Sequence, residues 1–482
     1  MLFENGEWLP DQPDLGNPGS TVAKNVYPNQ RGFEPFGSLM YLSAAMDARP
    51  LGGTSLTSED GTSRVYVGVA TKIYSLDAAT VTDRSVAGGY TDTATFWDMA
   101  AYGDIAVATN FADNPQFMDM SSGTDFADLT TDFRAKTVAV VRDFLMFGNT
   151  YDGVDGNSPE RVRWSALGDY TDYTVSATTQ SDYQDTPGGG SVQRIFGGEY
   201  AVILFEHAIY RVNYVGSPNV FQFDEIETDR GLFTPGAAAQ NGSIIYYLDS
   251  DGFYAFNGSV SQPIGNERVD NWFWANFDAS QSGRVSCAID HDSKCVVWSF
   301  PSGGNIAGKP NKMIIFNFEV NRWSYVELDH DIILPLLTSD ITIDTLDNLN
   351  SDVDDLTISV DSRVLFEGSA LLGIMDSFKL ASNQGSPVDA VIESKEMQPS
   401  QGKRSRVTEI WPLIDGGTTT VQVGTRDRQQ DTTSWSTATS INATGFAPVN
   451  VEGRYVRVRT NLSGDWDDSQ GSDTITKTAG RF

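Results

Sequence analysis

A strand–turn–strand segment recurs along most of the chain. In each copy an apolar run is followed by a polar turn and by a second run with an aromatic or aliphatic end. The copies begin 40, 39, 57, 43, 52 and 68 residues apart, and they lie at 65–77, 105–119, 144–169, 201–214, 244–258, 296–318 and 364–376. The shorter spacings match the roughly 40–50 residues of a four-stranded propeller blade. A lone blade has two apolar faces to bury, and stacking blades around an axis buries both.

We therefore predict an all-β fold, a β-propeller of six to eight blades with insertions, over residues 41–385. Many Gly, Val, Ile, Thr, Tyr and Phe residues favour the same class. The alternative is a run of ordinary hairpins in a sandwich or in several small β domains. Residues 1–40 are predicted to form an extended N-terminal arm. One helix is expected at 266–277, where Val269, Trp272, Phe273 and Phe277 share a face.

The C-terminal fifth of the chain differs in charge from the rest. The whole chain carries a formal net charge of −31. Residues 386–482 contain 11 Lys/Arg and 12 Asp/Glu, whereas the remainder contains 22 and 52. This contrast predicts a separate domain at 386–482. In its segment 453–460, Val456 and Val458 alternate with Tyr455, Arg457 and Arg459, which predicts a β-sandwich-like domain with a basic outer face.

A strongly acidic segment at 327–361 interrupts the repeat where the spacing is longest. It contains ten Asp/Glu and no Lys or Arg, and it includes the apolar run Ile332 to Leu337. We predict a long functional insertion or mobile loop, with a plain solvated acidic loop as the alternative. Four of its aspartates could attract a cation, but the glycine that a calcium loop needs for its turn is missing. We therefore expect no bound metal.

The stretch from Gly303 to Pro310 has the G-x-x-x-x-G-K spacing of a phosphate-binding loop. However, Pro310 follows Lys309 where a magnesium-binding Ser or Thr is needed, and a strand-like run follows where a helix is needed. We predict a hairpin loop and no nucleotide or other cofactor. The chain has three histidines, no HExxH and no G-x-S-x-G. Dispersed triads and carboxylate pairs stay open from composition, but no pattern predicts an enzyme.

The two cysteines, Cys287 and Cys295, flank a predicted turn near Asp292. That turn places Asp290 opposite Cys295, so we expect no disulfide and a reducing compartment of synthesis. The first residues lack the pattern of a signal peptide, and the longest apolar runs are too short to span a bilayer.

Six stretches together resemble one protein family. They are LPDQPDLGNPGS (9–20), AKNVYPNQRGFEPFGS (23–38), RVRWSALGDYTDY (161–173), ESKEMQPSQGKRSRVTEIWPLIDGG (393–417), VQVGTRDRQ (421–429) and EGRYVRVRT (452–460). In this order they resemble the tail hub or nozzle proteins of short-tailed bacteriophages, also called packaged-DNA stabilisation or head-completion proteins. The resemblance spans nearly the whole chain and rests on the order of the stretches.

The resemblance implies a virion subunit that is assembled in the host cytoplasm and joins a homo-hexameric ring below the portal and its adaptor. Such a ring retains the packaged genome, conducts it during ejection and carries a tail needle, fibre or spike nearby. Contact with the genomic DNA would be transient and independent of sequence. An acidic lumen suits this role, because it repels phosphates and lets the duplex slide.

Two sets of residues are candidate sites for such a role. The first is an acidic lining of the channel by Asp340, Asp344, Asp347, Asp352, Asp354 and Asp355. The second is a basic face that docks against an acidic neighbour, made of Lys403, Arg404, Arg406, Arg457 and Arg459. The competing function is a carbohydrate-binding or depolymerising propeller, either a receptor-binding tail protein or a surface lectin.

Overall fold

Six of the seven recurring segments, from 65–77 to 296–318, are the middle strands of four-stranded antiparallel sheets in the computed structural model, which describes residues 1–77, 80–338 and 368–479. The described part of the seventh segment, 364–376, contains one strand, Ala370–Asp376, which pairs with Lys379–Ser382. The apolar residues of these segments alternate or run continuously between turns, so each sheet is buried on both faces. Six separate four-stranded sheets and the first four strands of a larger sheet form seven blades of a β-propeller within the described residues. The predicted propeller is confirmed, and seven lies within the predicted range.

Each blade is a meander whose first strand lies nearest the axis. Blade 1 contains strands Gly52–Thr57, Ser63–Gly68, Ile73–Asp77 and Thr80–Asp83. Blade 2 contains Asp98–Tyr102, Ile105–Thr109, Gln116–Asp119 and Ala127–Asp128. Blade 3 contains Phe133–Val141, Phe144–Asp152, Gly156–Trp164 and Asp182–Asp185. Blades 4 and 5 contain Val192–Phe196, Ala201–Phe205, Ala208–Gly216 and Val220–Thr228; and Ala238–Asn241, Ile244–Leu248, Phe253–Phe256 and Ser261–Pro263. Blade 6 contains Ser286–Asp290, Cys295–Phe300, Lys312–Asn317 and Arg322–Glu327. Blade 7 contains Ile332–Leu337, Ala370–Asp376, Lys379–Ser382 and Met40–Tyr41.

Hydrophobic clusters fill the interfaces between blades all the way around the ring. Separate clusters join blades 1 and 2, 2 and 3, and 3 and 4, a larger one joins blades 4, 5 and 6, and two more join blades 6 and 7 and blades 7 and 1. The ring is closed by strand pairing. Met40–Tyr41, which precedes blade 1 in the chain, pairs with Lys379–Ser382 as the outermost strand of blade 7. Closure leaves no long unpaired edge between the first and last blades.

The C-terminal sheet is built around a folded two-stranded ribbon. Arg404–Arg426 pairs along its length with Tyr455–Ala479, and the register shifts around Gly416 and Gly417, whose φ angles are 76° and 68°. Valines from both halves of the ribbon share one hydrophobic cluster, so the two layers of the sandwich-like domain are halves of the same ribbon. Further strands are Ala390–Glu393, Ser434–Trp435, Thr439–Ser440 and Ala447–Gly453.

The N-terminal arm is woven into both parts of the molecule. Its strands are Leu2–Glu4, Val22–Lys24, Val26–Pro28 and Phe33–Pro35. Val22–Lys24 lies between blade 6 and strand Ala390–Glu393, and it merges blade 6 and the C-terminal sheet into one 14-stranded sheet. The arm therefore acts as the seam between the two domains.

The predicted helix is present as Asp270–Asn276, and its Phe273 is fully buried. Two short 3-10 helices, Pro235–Ala237 and Ala279–Arg284, lie on either side of it in the chain. The helix packs with blades 4 to 6 in the largest hydrophobic cluster. Its apolar face is thus a core face, as the spacing predicted.

Several local predictions are confirmed by strand register. Asp290 pairs with Cys295, and both cysteines are buried free thiols. The glycine-rich stretch 303–310 joins two paired strands of blade 6, and its Lys309 forms an ion pair with Asp376 at 2.7 Å. That lysine holds blade 7 against the loop.

The segment predicted as an acidic insertion needs one correction. Its apolar run, Ile332–Leu337, is the first strand of blade 7, paired with Ala370–Asp376 and largely buried. The run is apolar because its side chains pack in the core. The acidic residues on both sides of it had suggested an exposed segment. The rest of the predicted insertion from 339 onward lies outside the described residues.

Candidate functional site

The arm, the helix, blade 6 and the C-terminal sheet meet at one place, which we call the junction. Its arm portion is 6–25, and its C-terminal portion is 390–397 together with the paired strands Arg404–Arg426 and Tyr455–Ala479. Backbone hydrogen bonds tie these parts together, for example from Thr21 N to the Glu393 carbonyl at 3.0 Å.

An aromatic cluster anchors the arm at the junction. Trp8 is 1% exposed, and its ring lies 4.7 Å from that of Trp272 and 4.8 Å from that of Tyr325. The Trp8 indole N–H donates to the Thr21 carbonyl at 3.2 Å, so its one polar atom is satisfied. Aromatic rings at these distances gain contact energy beyond simple area burial. The arm is therefore held by packing as well as by strand pairing.

The arm also caps the helix. The Asp11 carboxylate accepts hydrogen bonds from the backbone N–H groups of Asn271 and Trp272, each at 2.8 Å. Those N–H groups have no partner within the helix, and a carboxylate there also complements the helix dipole. Burial, with a contribution from the nearby Asp11 charge, raises the pKa of Asp270 to about 7. Two carboxyl groups thus share the start of one short helix.

A network of four charges, three of them buried, joins the arm to the C-terminal sheet. Glu396 accepts from Arg426 at 2.6 and 2.8 Å and lies 3.3 Å from Arg457. Asp14 of the arm completes the group at 2.8 Å from Arg457 and 3.3 Å from Arg426. The side chains of Glu396 and the two arginines are 1% and 9% exposed. Charges this deeply buried need partners, and here two acids balance two bases.

A second ion pair lies next to this network. Arg459 donates to the Glu393 carboxylate at 2.6 Å, and its guanidinium stacks 3.8 Å from the centre of the Trp435 ring. The planar guanidinium suits both contacts at once. Arg459 is thus engaged on two sides within its own chain.

A buried polar chain connects the arm with blades 6 and 7. The Tyr27 hydroxyl donates to Asp290 at 2.9 Å and accepts from the Asn383 amide at 2.7 Å. Burial raises the pKa of Asp290 and holds that of the Tyr27 hydroxyl well above its usual value. These hydrogen bonds therefore fix the position of the arm against blades 6 and 7.

The residues of the predicted docking face do not all lie on one exposed surface. Arg457 is 7% exposed and belongs to the buried network, which corrects the expectation of an outward-facing position. Both faces of its strand are covered, one by the ribbon and one by the arm. Lys403 and Arg406 are exposed, while Arg404 lies 3.2 Å from Asp427. Docking itself stays a prediction, now centred on Lys403 and Arg406.

The predicted channel-lining residues all fall within 339–367, outside the described residues. They are Asp340, Asp344, Asp347, Asp352, Asp354 and Asp355. Sequence reasoning missed Asp14, Glu396 and Arg426 as junction residues. Asp14 is hundreds of positions from Arg426 and Arg457, and Glu396 is 30 and 61 positions from them, so no local spacing pattern connects the four residues.

One serine–histidine pair has the contact geometry of a catalytic pair, but its surroundings argue against catalysis. Ser299 Oγ lies 2.5 Å from His330 Nε2, and His330 Nδ1 lies 2.8 Å from the Leu328 carbonyl. Because a carbonyl only accepts, Nδ1 carries the proton and Nε2 accepts from the serine. Both side chains are fully buried, and burial lowers the His330 pKa to about 4. The pair is a structural contact between blades 6 and 7.

Inner strands of several blades surround a cavity of about 90 Å³ near the axis of the propeller. The charged residues that line this cavity are Arg49, Asp98, Arg194 and Arg284. A water molecule takes about 30 Å³ in the liquid, so this space suits a few waters and is far too small for a nucleic acid duplex.

Within 1–77, 80–338 and 368–479, no group of three metal-ligating side chains has suitable geometry. No described helix has the length and apolar character needed to cross a bilayer.

Five of the six stretches that carry the family resemblance converge on the junction. The arm stretches supply Asp11, Asp14 and two residues of the strand Val22–Lys24, and the C-terminal stretches supply Glu396, Arg426 and Arg457. Only the stretch 161–173 lies elsewhere, at the third strand of blade 3 and the loop after it. Segments that are far apart in the chain thus form one continuous structural unit.

Comparisons with known proteins support no family assignment. No protein-family model matches the chain, and no curated protein matches it. Among solved structures, the chain is similar to BamB from Moraxella catarrhalis at 9% sequence identity and a TM-score of 0.38, covering 74% of this chain and 92% of that one. The assignment of a β-propeller therefore rests on the sheets of the chain itself.

Proposed function

We propose that the chain is a structural virion protein, the tail nozzle or hub subunit of a short-tailed bacteriophage. In this role about six copies form a ring below the portal and adaptor, retain packaged DNA and conduct it during ejection. The observation that carries the proposal is the convergence of five resembling stretches on the junction. Proteins that assemble in the same way would keep such a structural unit, even though it is built from distant segments of the chain.

Two further observations support this role. The net charge of −31 suits a wall along which DNA slides, since each Lys or Arg contact would add affinity and friction. The cavity of about 90 Å³ among the inner strands is far too small for a DNA duplex, so a conduit would form between subunits, which agrees with a ring. Catalytic chemistry is unnecessary for the proposed task. The partners would be other copies of the chain, the adaptor or portal, and a needle, fibre or spike.

Immunogold electron microscopy tests the proposal directly. Antibody to this chain is applied to particles and to cells from the source culture. We expect label at a single vertex of phage-like capsids. Label on cell envelopes with none on particles would overturn the tail assignment and favour the carbohydrate-binding propeller instead. Particles from a mutant lacking the gene serve as the control for antibody specificity.

A further inference from the structure

A groove at the boundary of blades 2 and 3 has the features of a binding site that the tail proposal does not use. Its volume is about 690 Å³, within the range of roughly 300–1,000 Å³ typical of small-ligand pockets. Hydroxyl and amide side chains dominate its lining, with two aromatic rings, and the charged residues that line it are Arg134 and Lys136.

The two cations reach the groove because of strand alternation. In strand Phe133–Val141, the residues Phe133, Ala135 and Thr137 are buried, whereas Arg134 and Lys136 share the opposite face. Neither forms an ion pair within the described residues, although the chain has 64 acids. Two unpaired cations on one face of so acidic a protein mark a place where an anion would be stabilised.

Both cations are held in position. The Arg134 guanidinium lies 4.2 Å from the centre of the Tyr151 ring and 5.9 Å from that of Phe111, and it donates to the Ala112 carbonyl at 3.1 Å. Lys136 lies 3.5 Å from the Gln193 amide oxygen. Burial lowers the pKa of the Lys136 ammonium, which is the loss of hydration that a bound anion would offset.

The backbone at the groove is strained in two places. Phe111 and Asn149 both line it, and their φ angles are 66° and 55°. For a bulky residue such as phenylalanine this left-handed conformation is strained, and such strain tends to occur at functional sites. Asn149 also coincides with a register shift between the second and third strands of blade 3, a device that redirects side chains.

Two acids that contact the lining of the groove are already engaged. Asp113 accepts from the Thr91 hydroxyl at 2.7 Å and from the Asn110 amide at 2.9 Å. Glu206 accepts from Ser191 at 2.6 Å and from Gln193 at 3.0 Å. These carboxylates fix the hydroxyl and amide groups of the lining, so the groove presents donors whose positions are set in advance.

We infer that this groove binds a short acidic saccharide, with its carboxylate or phosphate group at Arg134 and Lys136 and its hydroxyls on the threonine and asparagine side chains. The mixture of amide, hydroxyl and aromatic surface matches sugar rings. A long polyanion such as a nucleic acid would be repelled by the net charge of −31, whereas a ligand with one or two charges meets little of that repulsion. The inference is independent of the tail assignment.

Isothermal titration calorimetry of the full chain at low salt tests the inference. The probes are tetragalacturonate, its methyl ester, a sialic acid tetramer, phosphorylated maltotetraose and a short oligothymidylate. We expect one or more acidic saccharides to bind, and the neutral ester and the oligonucleotide to bind much more weakly. Preference for the carboxylate or for the phosphate form identifies the anionic group. Failure of all three acidic saccharides, or tighter binding of the oligonucleotide, would overturn the assignment.

Variants localise the site. Arg134→Gln and Lys136→Gln should each weaken binding about tenfold or more, because each removes a charge-assisted hydrogen bond. Matched controls are Arg211→Gln, whose guanidinium also stacks on a tyrosine, and Lys379→Gln, whose ammonium lies near Tyr41. Both controls make the same change in charge away from the groove and should bind as wild type does. If saccharide binding is weakened equally in the controls and in the groove variants, only the overall charge matters, and the inference is contradicted. Circular dichroism spectra verify that every variant is folded.

Discussion

At the scale of single residues, burial decides what polar groups can do. Ser299 and His330 have the contact geometry of a catalytic pair, yet both are sealed between blades 6 and 7. The imidazole stays neutral there because a charged ring would lose its hydration. Their contribution is therefore to stability, and it depends on pH.

Replacing His330 by Gln should flatten the pH dependence of stability. The folded-state pKa is about 4 and the ordinary value is 6.5, so between these values the unfolded chain binds a proton that the folded chain does not. Stability from this residue is thus complete above pH 6.5 and falls as the pH drops, by up to roughly 1.4 kcal/mol per pH unit. Urea unfolding at several pH values measures the slope. Equal slopes in wild type, His330→Gln and the exposed control His207→Gln would contradict this.

At the scale of elements, the arm behaves as an interior part of the molecule although it lacks long regular structure. Trp8 packs on two rings, Asp11 caps the helix and Asp14 enters a buried charge network. Each contact joins residues that are hundreds of positions apart. The arm therefore couples the stability of the propeller to that of the C-terminal sheet.

Replacing Glu396 by Gln tests this coupling. The change leaves Arg426 and Arg457 buried with only the half-exposed Asp14 as an acidic partner, and breaking a buried ion pair costs about 3–5 kcal/mol. We expect the free energy of unfolding in urea to fall by an amount of that size. The matched control is Glu452→Gln, an exposed acid 4.0 Å from Arg406, which should cost less than about 1 kcal/mol. Similar losses for both variants would refute a special role for the network.

At the scale of the whole molecule, the proposed function depends on an assembly of several copies. The inner strands of the seven blades surround a cavity of only about 90 Å³, in a chain of net charge −31. A DNA duplex is far too wide for that cavity. Several copies around a common axis would instead create a wide acidic lumen, which is the geometry that the proposed function requires.

Neutralising the predicted channel lining tests the lumen, provided that the proposed function holds. The variant carries Asn in place of Asp340, Asp344, Asp347, Asp352, Asp354 and Asp355. Weaker repulsion between wall and phosphates should slow DNA ejection from purified particles, measured by the fluorescence of a dye that binds released DNA. A control replaces six exposed aspartates by Asn, namely Asp92, Asp125, Asp132, Asp143, Asp229 and Asp465. Unchanged retention and ejection would remove the six residues from the lumen.

Patterns among residues that are close in the sequence predicted much of the fold. The recurring hairpins predicted the blades, the turn near Asp292 predicted that Asp290 would face Cys295, and the apolar spacing predicted the helix. These features depend on residues close in sequence, where alternation and turn chemistry act directly. The acidic surroundings of Ile332–Leu337 misled the same reasoning, because packing against blades 1 and 6 outweighs local charge.

The sequence by itself determined the all-β class, the propeller repeat, the domain contrast in charge and the hairpin character of the glycine-rich loop. Only the tertiary structure decided which faces are covered: Arg457 became an interior charge, the arm became a seam, and Arg134 and Lys136 came to line a groove. The physical reason is that strand periodicity specifies two faces but not what lies against each. That choice is made by contacts between residues such as Asp14 and Arg457, which only the folded chain brings together.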